Sequence, residues 1–196
     1  VKKVCQDWDV ALTVGRVDVP AERQKTGEGV EECARRLRYA FLRQCAGEGG
    51  LIATAHTLSD AVETTLLHLA RGCSLHGLCG IAPVMDGVIR PLIDCTRDEV
   101  EAFCEQQGLA FVTDQTNFDQ RYARNRVRHT VVPALKSLNP ALEKAVGRAI
   151  RLNRQEDALL DSMARQTLEG ARTPEGFDIK RLLKAHEAIA SRALVL

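Results

Sequence analysis

The hydrophobic pattern of this chain switches repeatedly between the two-residue period of a strand and the helical period of about 3.6. Asp9 to Val19 is β-branched and partly alternating, which predicts a strand, and the polar run Pro20 to Glu28 predicts a loop. A helix is expected from Gly29 to Cys45, with Cys33, Leu37, Ala40 and Phe41 as its apolar stripe. The glycines at 47, 49 and 50 end it, and Leu51 to Ala55 reads as a short buried strand. Thr57, with Asp60 three residues on, forms a capping box, so the next helix starts near Leu58. On that helix Val62, Leu66, Leu69 and Ala70 are the expected apolar side.

Beyond it, Gly72 to Gly87 reads as a loop, and Val88 to Ile93 as a strand confined to an edge or kept short by Pro91. Arg97 to Gln107 reads as a helix closed by Gly108, and Leu109 to Val112 as a further strand. From Arg126 onward the strands stop. A long helix runs from Asn139-Pro140 to about Leu168, residues 172–176 turn, and 180–196 are helical again. Strands alternating with single helices predict an α/β fold with a parallel sheet and flanking helices, followed by an α-helical extension. The expected division is an α/β domain over residues 1–135 and a helical second domain over 136–196.

At 196 residues the chain can bury one sizeable core, or one core and a small helical appendage. A hydrophobic share of 45% and a charged share of 27% are those of an ordinary globular protein, and no apolar run approaches a membrane span. Aromatics make up 4%, too few for base stacking to dominate a nucleic-acid contact. Seven cysteines, an odd number with no CxxC pair, point to a reducing, cytoplasmic setting and away from zinc or iron–sulfur sites. The net charge of +1 hides a segregation. Residues 120–154 carry seven Arg and two Lys against Glu143 alone, a local +8 that suits an anionic partner.

The stretch from Ala53 to Thr64 holds the densest candidate chemistry. His56 stands at the expected strand end, and Asp60 and Glu63 lie one turn apart on the helix that follows, where open α/β sheets bind ligands. Two acids with no basic neighbour in sequence suit either a cationic substrate group or a metal. Arg35, Arg38 and Tyr39 share a face of the first long helix, and four arginines (121, 124, 126, 128) fall within eight residues, a pattern suited to phosphate or RNA. His68 and His76 are not spaced as a metal pair and read as incidental. P-loop, dinucleotide-binding and nucleophile-elbow signatures are missing from the chain.

Several segments together resemble a known family. RVDVP (16–20), ARRLRY (34–39), ATAHTLSDAVETTLLHLARG (53–72), GLCGI (77–81), IRPLI (89–93), TDQTN (113–117) and ARNRVRHTVVPAL (123–135) occur in the order and spacing of the tRNA(Ile)-lysidine synthetases, of the N-type ATP pyrophosphatase (PP-loop) group. The resemblance covers residues 12–165. It implies a Rossmann-like nucleotide-binding domain in which ATP, as its Mg2+ complex, adenylates the C2 carbonyl oxygen of the wobble cytidine of an isoleucine tRNA with a CAU anticodon, and free L-lysine then displaces AMP. By position, Asp60 and Glu63 match the pair that holds lysine, Ala55 and His56 the nucleotide-site strand end, and Arg35 an arginine near the phosphates. Asn117, Arg121, Arg124, Asn125 and Arg128 match the family's tRNA-facing signature beside the cleft. Family members often dimerise, although nothing in the spacing here shows a homodimer.

Two departures stand out. Thr57, Ser59 and Ala61 replace the His, Asp and Gln of the family's AHHxDDQxET pattern, which leaves the magnesium ligands open. The family's SGGxDS loop belongs before residue 1, so the chain as given is expected not to form AMP from ATP. The alternatives are a PP-loop tRNA thiolase, disfavoured by the missing CxxC, and an RNA-binding module without catalysis.

Overall fold

The computed structural model describes residues 1–111 and 122–196, which form two compact units. The first comprises residues 1–54 and 84–89. It contains α1 (Lys2–Asp7), α2 (Val19–Thr26), α3 (Val30–Ala46), β1 (Ile52–Ala53), β2 (Val84–Met85) and β3 (Val88–Ile89). The sheet order is β1-β3-β2. β1 pairs parallel to β3, with Ile52 opposite Val88, while β2 pairs antiparallel to β3. The expected parallel sheet is thus one parallel pair extended by a hairpin. The hairpin turns through Asp86 and Gly87, both at positive φ (51° and 75°), the left-handed pair that a two-residue turn requires.

Three expectations are corrected in this unit. Residues 10–18 have no regular structure and join no ladder, because the alternating valines meet no strand among the described residues; Val14 is 71% exposed. The presumed loop after Pro20 is the helix α2. The Asp18 carboxylate accepts from Ala21 N–H at 3.0 Å and Pro20 sits in the first turn, so capping overrides a polar composition. The strand expected over 88–93 ends at Ile89, as the proline at 91 predicts.

The second unit comprises residues 55–83 and 90–196. It is built from α4 (Leu58–Arg71), α5 (Leu75–Leu78), α6 (Arg97–Gln106), α7 (Ala123–Arg126), a π-turn (Val127–Val131), α8 (Val132–Leu138) and the long α9 (Leu142–Gly170). The hairpin β4 (Arg172–Thr173) and β5 (Gly176–Phe177) follows, then α10 (Ile179–Leu182) and α11 (Glu187–Ala193). No strand forms over 109–111, and the rest of the strand expected there lies outside the described residues.

Two apolar clusters hold this unit. Ala61, Ile93 and Ile150 are buried together with Ile81 and Val146 against them, fixing α4 on α9. Ala164, Ala171, Leu182, Ile189 and Ala193 form the second, under the C-terminal helices. The buried side of α4 is Leu58, Ala61, Val62 and Thr65, spaced i, i+3, i+4, i+7. Leu69 and Ala70, expected on the apolar side, are exposed near the C-terminal end of the helix. Gly147 permits the close crossing: a Cβ there would lie 2.9 Å from Leu58 Cδ1. Gly147→Val should therefore overpack the α4–α9 contact and cost about 1–3 kcal/mol, read as a lower urea midpoint with an unchanged m-value.

Candidate functional site

Local chemistry first determines where the two acids of α4 point. Thr57 caps the helix, and Asp60 Oδ2 accepts from the Thr57 N–H at 2.9 Å and from its hydroxyl at 2.8 Å. That reciprocal cap turns Oδ1 outward. Glu63, one turn on, projects along the same side. Both residues are buried, Asp60 at 9% and Glu63 at 3% exposure.

Arginines cover them. Arg128 grips Glu63 with two donors, Nε to Oε1 at 2.6 Å and Nη2 to Oε2 at 2.9 Å. Arg124 bridges the pair, giving Nε to Glu63 Oε2 at 2.9 Å and Nη2 to Asp60 Oδ1 at 3.1 Å. A third guanidinium, that of Arg97 at the start of α6, lies 3.8 Å from Asp60 Oδ1. The expectation of two acids without a basic neighbour is corrected. Among the described residues, three guanidiniums face two carboxylates, one positive charge in excess.

The π-turn stands between Arg124 and α8 in this arrangement. Pro133 has no N–H to return to the carbonyl four residues earlier, and the helix widens by one residue per turn just before it. Arg124 and Arg128 still emerge on one side. Asn125, between them, is buried at 9% exposure.

Burial alone would raise the carboxyl of Asp60. The Thr57 backbone and hydroxyl donors, with the charges of Arg124 and Arg97, outweigh it and hold Asp60 below its ordinary value. Hydrogen bonding to Glu63 likewise raises Arg128. A depressed carboxylate stabilises the fold above its unfolded value, here about 3.9. That contribution fades as pH falls through the lower folded value. Glu99 follows the same sign in the capping box of α6. Thr96 N–H, Lys144 and the Thr96 hydroxyl hold it at about 2.

Of the residues singled out from sequence, the structure brings Asp60, Glu63, Arg124 and Arg128 into direct contact. Arg35 lies on α3 with its guanidinium 4.8 Å from the centre of the Tyr39 ring, a cation–π pair. Ala55 is exposed and His56 half-buried in the segment leading into α4. Asn117 and Arg121 lie outside the described residues. Sequence reasoning missed Arg97, whose one signal is its place directly after the Thr96 cap. It also passed over His68 and His76, which are latches: His68 Nδ1 lies 2.8 Å from the Gly77 carbonyl, and His76 Nδ1 2.8 Å from Asp157 Oδ2. Among the described residues no three His, Cys, Asp or Glu side chains converge on a metal position. With Asp60 and Glu63 facing guanidiniums, these residues do not fit a resident magnesium ion.

Comparison with known proteins adds to this geometry. A family model described as a PP-loop domain matches residues 1–135. The chain belongs to the PP-loop domain family. Curated proteins similar to it include the tRNA(Ile)-lysidine synthase of Thermotoga sp. (strain RQ2), 39% identical over 76% of this chain and 37% of that protein. Those of Pseudothermotoga lettingae and Chromobacterium violaceum are 42% and 36% identical, over 74% and 92% of this chain. The chain spans 33% and 41% of the lengths of those two. The PP-loop match ends at Leu135, inside α8, and so takes in the whole acid–arginine cluster.

The cluster of this PP-loop domain has unequal partners. The side chain of Arg128 is 18% exposed and that of Arg124 40%. Losing Arg128 strands a buried carboxylate, whereas Arg124 exchanges its contacts for water. Arg128→Ala should cost about 2–3 kcal/mol and Arg124→Ala less than about 1 kcal/mol, compared by chemical denaturation. Equal losses would show that the two guanidiniums share Glu63 evenly.

Proposed function

We propose that this chain is the nucleotide- and lysine-binding part of a tRNA(Ile)-lysidine synthetase with a Rossmann-like core. The observation that carries the reading is a buried acid pair, inside a PP-loop domain, whose cover includes one half-exposed, exchangeable guanidinium. The names of its relatives point the same way. In the reaction, the C2 oxygen of the wobble cytidine attacks the α-phosphorus of ATP and pyrophosphate leaves. The ε-amine of lysine then attacks C2, the C–O bond to AMP breaks, and the amine gives up a proton.

Asp60 and Glu63 receive the ammonium of lysine in this scheme. Arg124 turns outward into water, where its guanidinium stays hydrated, and the ammonium takes its place between Asp60 Oδ1 and Glu63 Oε2. One cation replaces another, so the local charge is unchanged. Arg128 stays on Glu63 and prevents the carboxylate from being stranded during the exchange. Ala55, His56 and Arg35 are assigned to the nucleotide by their positions, and the adenylated cytidine has to reach the lysine amine for the second step. All seven cysteines are free thiols and no helix among the described residues is long and apolar enough to cross a membrane, which supports a cytoplasmic setting.

Glu63→Gln keeps the shape and removes the charge. In the full-length protein it should weaken lysine binding by roughly 30-fold or more and leave tRNA-dependent pyrophosphate release without lysine largely intact. Loss of pyrophosphate release with normal lysine affinity would reassign the pair to the nucleotide.

The basic segment needs re-sorting before it meets RNA. Lys136 is held by Glu143 at 2.7 Å, Lys144 by Glu99 at 3.1 Å, and Arg154 donates to the carbonyls of Cys79 and Ile81. Arg126 and Arg148 are exposed and have no ion pair among the described residues. These two face the tRNA backbone in the proposed scheme. Replacing both with Ala should lower the log–log salt slope of tRNA binding by about one to two units, while Arg124→Ala changes it less.

A further inference from the structure

A cavity of about 370 Å³ opens beside the acid–arginine cluster, walled by Glu63, Arg97, Arg128, Lys136, Val132 and Pro133. Its size is that of a small-molecule site. Two of its three cations are already satisfied. Arg128 has both its Nε and Nη2 on Glu63, and Lys136 has Glu143. Arg97 is different. Its Nε is buried and has no hydrogen-bond partner among the described residues. Among the described residues its closest carboxylate oxygen, Asp60 Oδ1, is 3.8 Å from Nη2, an ion pair too long for a hydrogen bond.

Arg97 is also firmly placed. Its backbone N–H donates to Ser59 Oγ at 2.9 Å, so the residue that replaces the family's first Asp anchors the start of α6 instead. A buried guanidinium edge without an acceptor is costly, and the group that satisfies its planar fork is an oxyanion. The cavity therefore offers three kinds of surface. They are a cationic fork at Arg97, an apolar wall at Val132 and Pro133, and carboxylate at Glu63. A free amino acid with a long aliphatic stem and a terminal ammonium carries the complementary three.

We propose that this cavity seats the free amino acid and that Arg97 binds its α-carboxylate, which makes Arg97 the residue that distinguishes lysine from a simple diamine. The inference rests on the lysine reading above. Specificity follows from the same physics that makes the orphan donor costly. A ligand lacking the carboxylate leaves Arg97 Nε without an acceptor and is rejected, because a site built to hydrogen-bond a group discriminates against an analogue without it.

The test compares lysine with 1,5-diaminopentane, which has the same stem and ammonium but no carboxylate, in the full-length protein. Wild type should favour lysine in KM by roughly 10-fold or more. Arg97→Ala should raise the lysine KM by a similar factor, leave that of the diamine nearly unchanged and so abolish the preference; Arg97→Lys should recover part of it. Lysine and diamine rising together would make Arg97 merely structural, and a rise in the KM for ATP or tRNA alone would make the oxyanion a phosphate. Either result overturns the inference while leaving the lysine reading intact. A wild-type enzyme that uses neither amine overturns that reading itself. Should Arg97→Ala fail to fold, lysinamide decides on wild type alone, since it replaces the carboxylate with a neutral group of the same shape. Weaker use of lysinamide by roughly 10-fold supports the assignment, and equal use removes it.

Discussion

Glu63 is nearly sealed from water, and a carboxylate in that position survives only with charge-assisted hydrogen bonds around it. Arg128 and Arg124 provide them from more than 60 residues away in the chain. Much of the rest of the second unit follows from this need. The helix carrying the arginines has to lie along α4, the π-turn has to keep both guanidiniums on one side, and α4 has to be buried on its acid side as well as its apolar side. A helix whose charged face would ordinarily be wet becomes an internal element.

The same unit shows how a segment with one short helix is fixed in place by side chains. The segment between α4 and residue 83 is stapled at several points. Arg154 reaches from α9 to two of its carbonyls, His68 holds Gly77, and Arg90 Nη1 donates to Ala82 O at 2.6 Å. His76 and Arg192 meet on opposite oxygens of Asp157, at 2.8 Å and 2.6 Å, which ties that loop and α11 to one carboxylate of α9. Burial pushes the nearby Cys79 thiol up, with the charge of Asp157 adding to it, so this cysteine is an inert packing group.

Electrostatics in this protein are mostly short-range and internal. The +8 of residues 120–154 suggests a broad basic surface, yet Arg124, Arg128, Lys136 and Lys144 are matched to acids from α4, α6 and α9. Formal charge along a sequence counts every arginine equally. Folding divides them into those that neutralise buried carboxylates and the few left to meet a partner.

The sequence by itself determined the helix starts, because caps are local: Thr57 with Asp60 and Thr96 with Glu99 act over three residues. It also singled out, among other candidates, Asp60, Glu63, Arg124 and Arg128, which the fold brings into contact, and, through its motifs, the family. The Asp86-Gly87 hairpin and the cap of α2 were equally local signals, hidden within segments whose polar composition suggested loops. Only the tertiary structure decided that the acids and arginines face each other, that Leu69 is exposed while Glu63 is buried, and that Arg97 joins the site with a donor unmet. Helical period tells which residues share a face. It does not tell which element will cover that face, since that depends on contacts between residues far apart in the chain.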